Sequence, residues 1–242
     1  MNNKTLIFGH RGFPARFPEN SLAGFEYAID HGIDGLEFDV HLTKDGVPVV
    51  IHDEKINRTT NGKGRVFDYD FQGLRRFKLA NGEPIPSLSE FLSLVKNFDG
   101  LLNLEFKTNK IHYPNIEPKV LAMVRAANLK RDVIYSSFNI DSLRIARQIA
   151  AAGNYCFLSD HRIQNPGEFV ITEGLSGLHL HHYQPVSGVK ERIWTVDDGR
   201  KMATLFSKGV AGLITDDFEK AQQVRHFVQT GDLQKSSTMT AG

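Results

Sequence analysis

Two stretches of this sequence carry an ionisable or polar side chain at every second residue. Glu37, Asp39 and His41 alternate with Leu36, Phe38 and Val40, while Asn103, Glu105 and Lys107 alternate with Leu102, Leu104 and Phe106. Successive side chains of a β-strand point to opposite faces, so each stretch reads as a strand with one polar and one oily face. If the two strands are neighbours, Glu37, Asp39 and Glu105 meet. Three carboxylates in a partly desolvated pocket repel one another, and their charge stays uncompensated unless a cation sits among them. An all-oxygen donor set favours Mg²⁺, Ca²⁺ or Mn²⁺ over zinc, which prefers nitrogen and sulfur. The same pattern admits a second reading, in which Arg or Lys side chains neutralise the carboxylates as salt bridges.

A second polar set sits near the same strand ends. His10 and Arg11 follow Leu6-Ile7-Phe8, and His52 closes the run from Val47. Two imidazoles titrating near neutrality suit acid–base transfer, one taking a proton from the nucleophile and the other giving one to the leaving group. Either could instead be one of the packing or surface residues among the ten histidines. Arg11 offers a planar donor fork for a phosphate oxygen, with a surface ion pair as its other reading. His179 and His181 share a strand face and suit a transition metal, but no carboxylate accompanies them and pocket lining or packing is the favoured reading. His41 shares the face of Glu37 and Asp39 and stands behind them. Asn20 caps the first helix or enters the pocket. Gly62-Lys63-Gly64 lacks P-loop spacing and reads as a turn.

The elements that must position these residues alternate along the chain. Eight strand-like runs occur at Leu6 to Phe8, Gly35 to Leu42, Leu101 to Phe106, Val133 to Tyr135, Tyr155 to Leu158, Leu178 to Leu180, Ile193 to Val196 and Gly212 to Ile214. Between them lie helix-period stretches such as Leu22, Phe25, Ile29 and Leu88, Phe91, Leu92, Val95. Ser87-x-x-Glu90 and Asp216-x-x-Glu219 fit capping boxes, and Gly32 stops the first helix. Eight βα units in 242 residues match the roughly 250 of a (β/α)₈ TIM barrel better than an open doubly wound sheet. The stretch from Leu42 to Pro86 exceeds an ordinary loop of about 2–6 residues and reads as a small insertion after the second strand. One barrel domain is expected over residues 1–229, with 230–242 as a disordered polar tail.

Composition removes other classes. Lys plus Arg is 29 and Asp plus Glu is 28, a net charge of +1, which argues against general nucleic-acid affinity. The single Cys156 forms neither an internal disulfide nor a cysteine zinc site and reads as a small buried core residue. The start of the chain lacks the apolar core of a signal peptide, and no run reaches the ~20 apolar residues that span a bilayer. The expectation is a soluble, cytoplasmic protein with no membrane span.

The sequence resembles the glycerophosphodiester phosphodiesterase family. The strings that carry the likeness are Gly9-His10-Arg11-Gly12, Pro18-Glu19-Asn20-Ser21, Leu36-Glu37-Phe38-Asp39-Val40, Thr43-Lys44-Asp45-Gly46 through Ile51-His52-Asp53, and Arg58-Thr59-Thr60-Asn61-Gly62. They continue with Ile85-Pro86-Ser87-Leu88-Ser89-Glu90, Leu104-Glu105-Phe106-Lys107, Ser136-Ser137-Phe138-Asn139, Trp194-Thr195-Val196 and Gly212-Leu213-Ile214-Thr215-Asp216. The order holds from about residue 5 to 228. The resemblance implies a TIM barrel that hydrolyses glycerophosphodiesters to glycerol 3-phosphate and an alcohol, a step of lipid and glycerol metabolism. It implies Glu37, Asp39 and Glu105 as ligands of a divalent cation and His10 and His52 as the acid–base pair. Arg11 and Lys107 would bind phosphate, and Trp194 would wall the glycerol. One departure is visible: the family often has Pro two residues after Thr215-Asp216, where this chain continues Asp217-Phe218. A phospholipase D-like activity on lysophospholipids would need an apolar groove or interfacial helix, and the insertion offers Phe67, Tyr69, Phe71 and Phe77 but no long amphipathic stretch. A non-catalytic binding protein would be expected to lose a histidine or carboxylate, and none is missing.

Overall fold

A computed structural model describes residues 4–231. Its strands are β1 (Leu6–Gly9), β2 (Gly35–Leu42), β3 (Pro48–Val50), β4 (Leu101–Phe106), β5 (Val133–Ser137), β6 (Asn154–Ser159), β7 (Gly177–Leu180), β8 (Lys190–Ile193) and β9 (Gly212–Thr215). Because β1 pairs in parallel with both β2 and β9, the strands other than β3 close into an eight-stranded parallel barrel. This is the (β/α)₈ architecture read from the strand and helix spacing. The helices are α1 (Leu22–Asp30), α2 (Phe71–Leu74), α3 (Leu88–Leu94), α4 (Ile116–Ala127), α5 (Ile140–Ile149), α6 (Pro166–Glu173), α7 (Gly199–Lys208) and α8 (Phe218–Thr230).

The alternation in β2 and β4 decides what the barrel holds. Leu36, Phe38, Val40, Leu102, Leu104 and Phe106 are buried in the main core with side chains from the helix layer. Phe38 lies 4.0 Å from Phe91 of α3, ring centre to ring centre, and Phe91 lies 4.7 Å from Phe25 of α1. Burying one such ring is worth about 1.5–3 kcal/mol. The opposite parity points inward, and the register pairs Glu37 with Asn103 and Asp39 with Glu105. Two carboxylates are therefore held side by side by the hydrogen bonding of β2 to β4.

The insertion folds onto this frame. Its strand β3 runs antiparallel to β2, pairing Val40 with Val50 and Leu42 with Pro48. Val49, Ile51, Ile56, Val66, Leu74 and Ile85 form a small core of its own. Helix ends follow the expected chemistry in part. Ser87 and Glu90 make a reciprocal capping box at α3, and Gly32 follows α1 with φ +72°.

Three local expectations differ. The seventh barrel strand spans Lys190–Ile193 rather than Ile193 to Val196, because Lys190 and the buried Glu191 and Arg192 break its apolar run. Residues 181–189, between β7 and β8, contain no helix; the span is short and interrupted by Pro185 and Gly188. Asp216 does not cap the last helix: the Asp217 side chain accepts from the Lys220 backbone N–H at 3.0 Å. The tail expected at 230–242 overlaps the end of α8, and from 232 onward it lies outside the described residues. Among the described residues, no helix is long and apolar enough to cross a membrane.

Candidate active site

The turn after β1 brings the first site residues to the barrel mouth. A Cβ on Gly9 would stand 2.3 Å from the Gly12 carbonyl oxygen, so the turn closes only around glycine at that position. Arg11 and Asn20 adopt φ +52° and +56°, in the left-handed region that non-glycine residues seldom occupy. Hydrogen bonds hold both there. The Arg11 N–H donates to Glu37 Oε2 at 3.0 Å, and the Asn20 N–H donates to the Arg11 carbonyl at 2.8 Å. The Asn20 side-chain amide donates to Asp39 Oδ2 at 2.9 Å, while the cap of α1 is Ser21. Asn20 is therefore not the cap, and it does not line the pocket either; its side chain holds Asp39 beneath it.

Glu37, Asp39 and Glu105 each place a carboxylate oxygen within 4.8 Å of the others, and all three are buried. Lys107 lies 2.8 Å from Glu105 Oε1 and 3.7 Å from Asp39 Oδ1, and Arg11 Nε lies 3.5 Å from Asp39 Oδ2. The salt-bridge reading is thus partly realised. It does not balance the site, because two cations face three carboxylates. Burial, then the charges of Asp39 and Glu105, push the Glu37 carboxyl well above its usual range. Burial also raises Glu105 to about 7, against the pull of Lys107. Burial acts upward on Asp39 too, but His52, Lys107 and Arg11 together hold it below the usual carboxylate range. Asp39 Oδ1 is buried without a hydrogen bond, its nearest cation being Lys107 at 3.7 Å. An unsatisfied anionic oxygen in a set of three carboxylates that two cations do not balance fits a hard divalent cation. The triad can therefore hold a metal ion.

Each histidine is tied to a carboxylate. His10 Nδ1 lies 2.6 Å from Asp216 Oδ1, and His52 Nδ1 lies 2.7 Å from Asp53 Oδ1. Burial lowers the His52 pKa, although Asp39 opposes it. His41 stands behind, as its strand face suggested. Its Nε2 donates to the His52 carbonyl at 2.9 Å, so its Nδ1 accepts from the Tyr113 hydroxyl at 2.8 Å. Burial pushes His41 down to about 4, which keeps this bridge neutral. One pocket is lined by His10, Arg11, Glu37, His52, Asn103, Glu105, Phe138, Leu158, Trp194 and Ile214.

The profile of the Glycerophosphoryl diester phosphodiesterase family matches residues 10–220, a span that contains every residue of this pocket. The chain belongs to this family. A glycerophosphodiester phosphodiesterase of Caldanaerobacter subterraneus subsp. tengcongensis is 37% identical over 89% of this chain and 96% of its own. One from Bacillus altitudinis is 34% identical over 91% of this chain and 98% of its own. The fold is shared with a phosphodiesterase of Oleispira antarctica solved in complex with the product sn-glycerol-3-phosphate, at TM-score 0.82 and 24% identity, over 91% of this chain and 96% of that one. Like its curated relatives, the chain is an enzyme, a glycerophosphodiester phosphodiesterase.

Within this phosphodiesterase the sequence-derived residues do not all stand in the same place. His10, Arg11, Glu37, His52, Glu105 and Trp194 line the pocket, and Asp39 lies beneath it, bonded to Asn20. Lys107 is not among the lining residues; it is buried against Glu105 and Asp39. Trp194 follows β8 and packs edge-on against Phe138 at 5.5 Å and His181 at 5.2 Å. His179 is buried, with Nε2 3.3 Å from Arg192 Nη1, as packing requires. Of the carboxylates that hold the two imidazoles, Asp53 received no role from the sequence and Asp216 reads there only as a helix cap. Barrel closure was the available signal for Asp216, since the last strand must lie beside the first.

Proposed function

We propose that this enzyme hydrolyses glycerophosphodiesters to glycerol 3-phosphate and an alcohol. Glu37, Asp39 and Glu105 would hold Mg²⁺, Ca²⁺ or Mn²⁺, and His10 and His52 exchange the protons. The observation that carries this reading is the pair of imidazoles lining one pocket beside a carboxylate cluster, each with Nδ1 on a carboxylate and Nε2 left for transfer. The names of the relatives and the product bound to the Oleispira antarctica enzyme agree with it. When bound, the cation supplies Lewis-acid neutralisation of charge on the phosphoryl oxygens. With Arg11 and Lys107 it turns a net negative site into one that accepts a singly charged diester.

Arg11 would grip a phosphoryl oxygen, Lys107 would add positive charge from below, and Trp194 with Phe138 would wall the glycerol. His52, kept neutral by burial, takes the proton of the attacking hydroxyl as its oxygen bonds to phosphorus; if that hydroxyl is the glycerol 2-position rather than water, a water then opens the cyclic phosphate to glycerol 3-phosphate in a second step. His10 gives a proton to the alcohol oxygen as its bond to phosphorus breaks.

The test measures glycerol 3-phosphate release from glycerophosphocholine, glycerophosphoethanolamine and a p-nitrophenyl ester of glycerol phosphate, with lysophosphatidylcholine turnover beside them. Wild type should release product from the small diesters. His10→Ala and His52→Ala should each lower kcat by about 10²–10⁴-fold with KM within a small factor. The p-nitrophenyl ester, whose leaving group needs little acid help, should restore His10→Ala and not His52→Ala. Turnover of lysophosphatidylcholine alone would favour the phospholipase D-like reading. Near-normal kcat on glycerophosphocholine in both variants would overturn the acid–base pair.

A further inference from the structure

The string Arg58-Thr59-Thr60-Asn61-Gly62 belongs to the resemblance, yet none of it lines the pocket. Most of it builds a turn. The Thr60 hydroxyl donates to the Ile56 carbonyl at 2.8 Å, and Asn61 exchanges backbone and side-chain hydrogen bonds with Lys78. Arg58 is different, because its guanidinium spans two carboxylates, one inside the insertion and one outside it. Nε and Nη2 donate to Asp53 Oδ2 and Oδ1 at 2.8 and 3.0 Å. Nη1 and Nη2 donate to Glu19 Oε2 and Oε1 at 2.6 and 2.8 Å. Both contacts are bidentate, so four of the five guanidinium hydrogens are committed.

Both carboxylates end at the site. Asp53 Oδ1 holds His52 Nδ1 at 2.7 Å, and Glu19 Oε1 accepts from Arg11 Nη1 at 3.0 Å. We infer that Arg58 is a positioning residue that orients His52 through Asp53 and Arg11 through Glu19, locking the proton-transfer group and the phosphate-binding group into one geometry. The inference rests on the proposed roles of His52 and Arg11. An exposed ion pair is ordinarily worth about 0–1 kcal/mol, so stability alone gives little reason for this arrangement. What it fixes is direction. Without the guanidinium, Asp53 and Glu19 lose a shared partner and repel each other, which frees the acceptor of His52 to rotate and leaves Glu19 to draw Arg11 from the pocket. Lysine cannot replace it, because an ammonium is a point donor that cannot face two carboxylates edge-on.

The experiment compares wild type with Arg58→Ala, Arg58→Lys and Arg144→Ala. Arg144 is a control, an equally exposed arginine that bridges Glu173 and Asp141 away from the pocket. Kinetics on glycerophosphocholine are measured with and without non-denaturing millimolar guanidinium, and the Nδ1–H proton resonances of His52 and His10 are followed in histidine-labelled protein. Arg58→Ala should lose about 10–100-fold in kcat, the usual effect of losing an outer-shell partner, with KM raised as well. Guanidinium should restore part of it. Arg58→Lys should stay impaired, the His52 resonance should shift while that of His10 stays, and Arg144→Ala should match wild type. Wild-type kinetics in Arg58→Ala, or an unmoved His52 resonance beside a loss that guanidinium does not restore, would overturn the inference. If Arg58→Ala does not fold, Arg58→Lys carries the same readouts. An inactive wild type would refute the proposed function, and the resonances would still judge the positioning role: a shifted His52 signal supports it and an unmoved one overturns it.

Discussion

At the scale of single residues, the site is held together against its own charge. Glu105 titrates at about 7 and Glu37 well above the usual carboxylate range, because burial and neighbouring carboxylates disfavour their ionised forms. Between the unfolded and folded pKa values the native state binds more protons than the unfolded chain, so these groups lower stability as pH rises. The lowered pKa values of His41, His52 and His179 act the other way, but only below the ordinary histidine value of about 6.5. The window from pH 6.5 to 8 therefore belongs to the carboxylates. In chelated protein, the Tm of wild type should fall across that window relative to Glu105→Gln by about 2–3 °C, because a carboxyl titrating at about 7 loses roughly 0.8 kcal/mol there, at roughly 2–4 °C per kcal/mol. Saturating Mg²⁺ should remove the difference in slope, since the bound cation takes over the compensation that protons supply. Parallel curves in chelated protein would mean that Lys107 already neutralises Glu105.

Secondary-structure elements position these groups, and their legibility in the sequence varies with how local their causes are. The alternation of Glu37 and Asp39 with Leu36, Phe38 and Val40 is a property of one strand, so the inward carboxylates could be read before any fold was known. The Ser87 and Glu90 capping box is equally local: the Ser87 hydroxyl accepts from the Glu90 N–H, and the Glu90 carboxylate accepts from the Ser87 N–H at 2.8 Å. Ser87→Ala should cost about 0.5–2 kcal/mol of unfolding free energy by urea denaturation and leave catalysis unchanged, since the residue caps α3 and lies outside the pocket. What could not be read depends on contacts far apart in sequence. Arg58 meets Glu19 across 39 residues, and Asp216 meets His10 across 206. Local rules also mislead where two similar residues adjoin. Asp216 and Asp217 both qualify as caps, and the barrel assigns one to His10 and the other to α8. The start of β8 was missed for another reason: its charged residues break the apolar pattern while the ladder to β7 runs through them.

At the scale of the whole molecule, barrel closure turns separate strands into one site. The pairing of β1 with β2 and β9 brings residues from opposite ends of the chain together at the mouth, and the insertion after β2 adds His52, Asp53 and Arg58. The assembled centre places two cations among three carboxylates, and a divalent ion would make it attractive to an anionic diester. Metal dependence is the claim on which the rest turns. The direct measurement is glycerol 3-phosphate release from glycerophosphocholine by enzyme treated exhaustively with EDTA, before and after adding back Mg²⁺, Ca²⁺ or Mn²⁺. Activity should vanish on chelation and return with at least one of these ions in wild type, with Glu37→Gln requiring far more of it. Full turnover by the chelated enzyme would contradict the account and leave the carboxylates of Glu37, Asp39 and Glu105 as a salt-bridge network around Arg11 and Lys107.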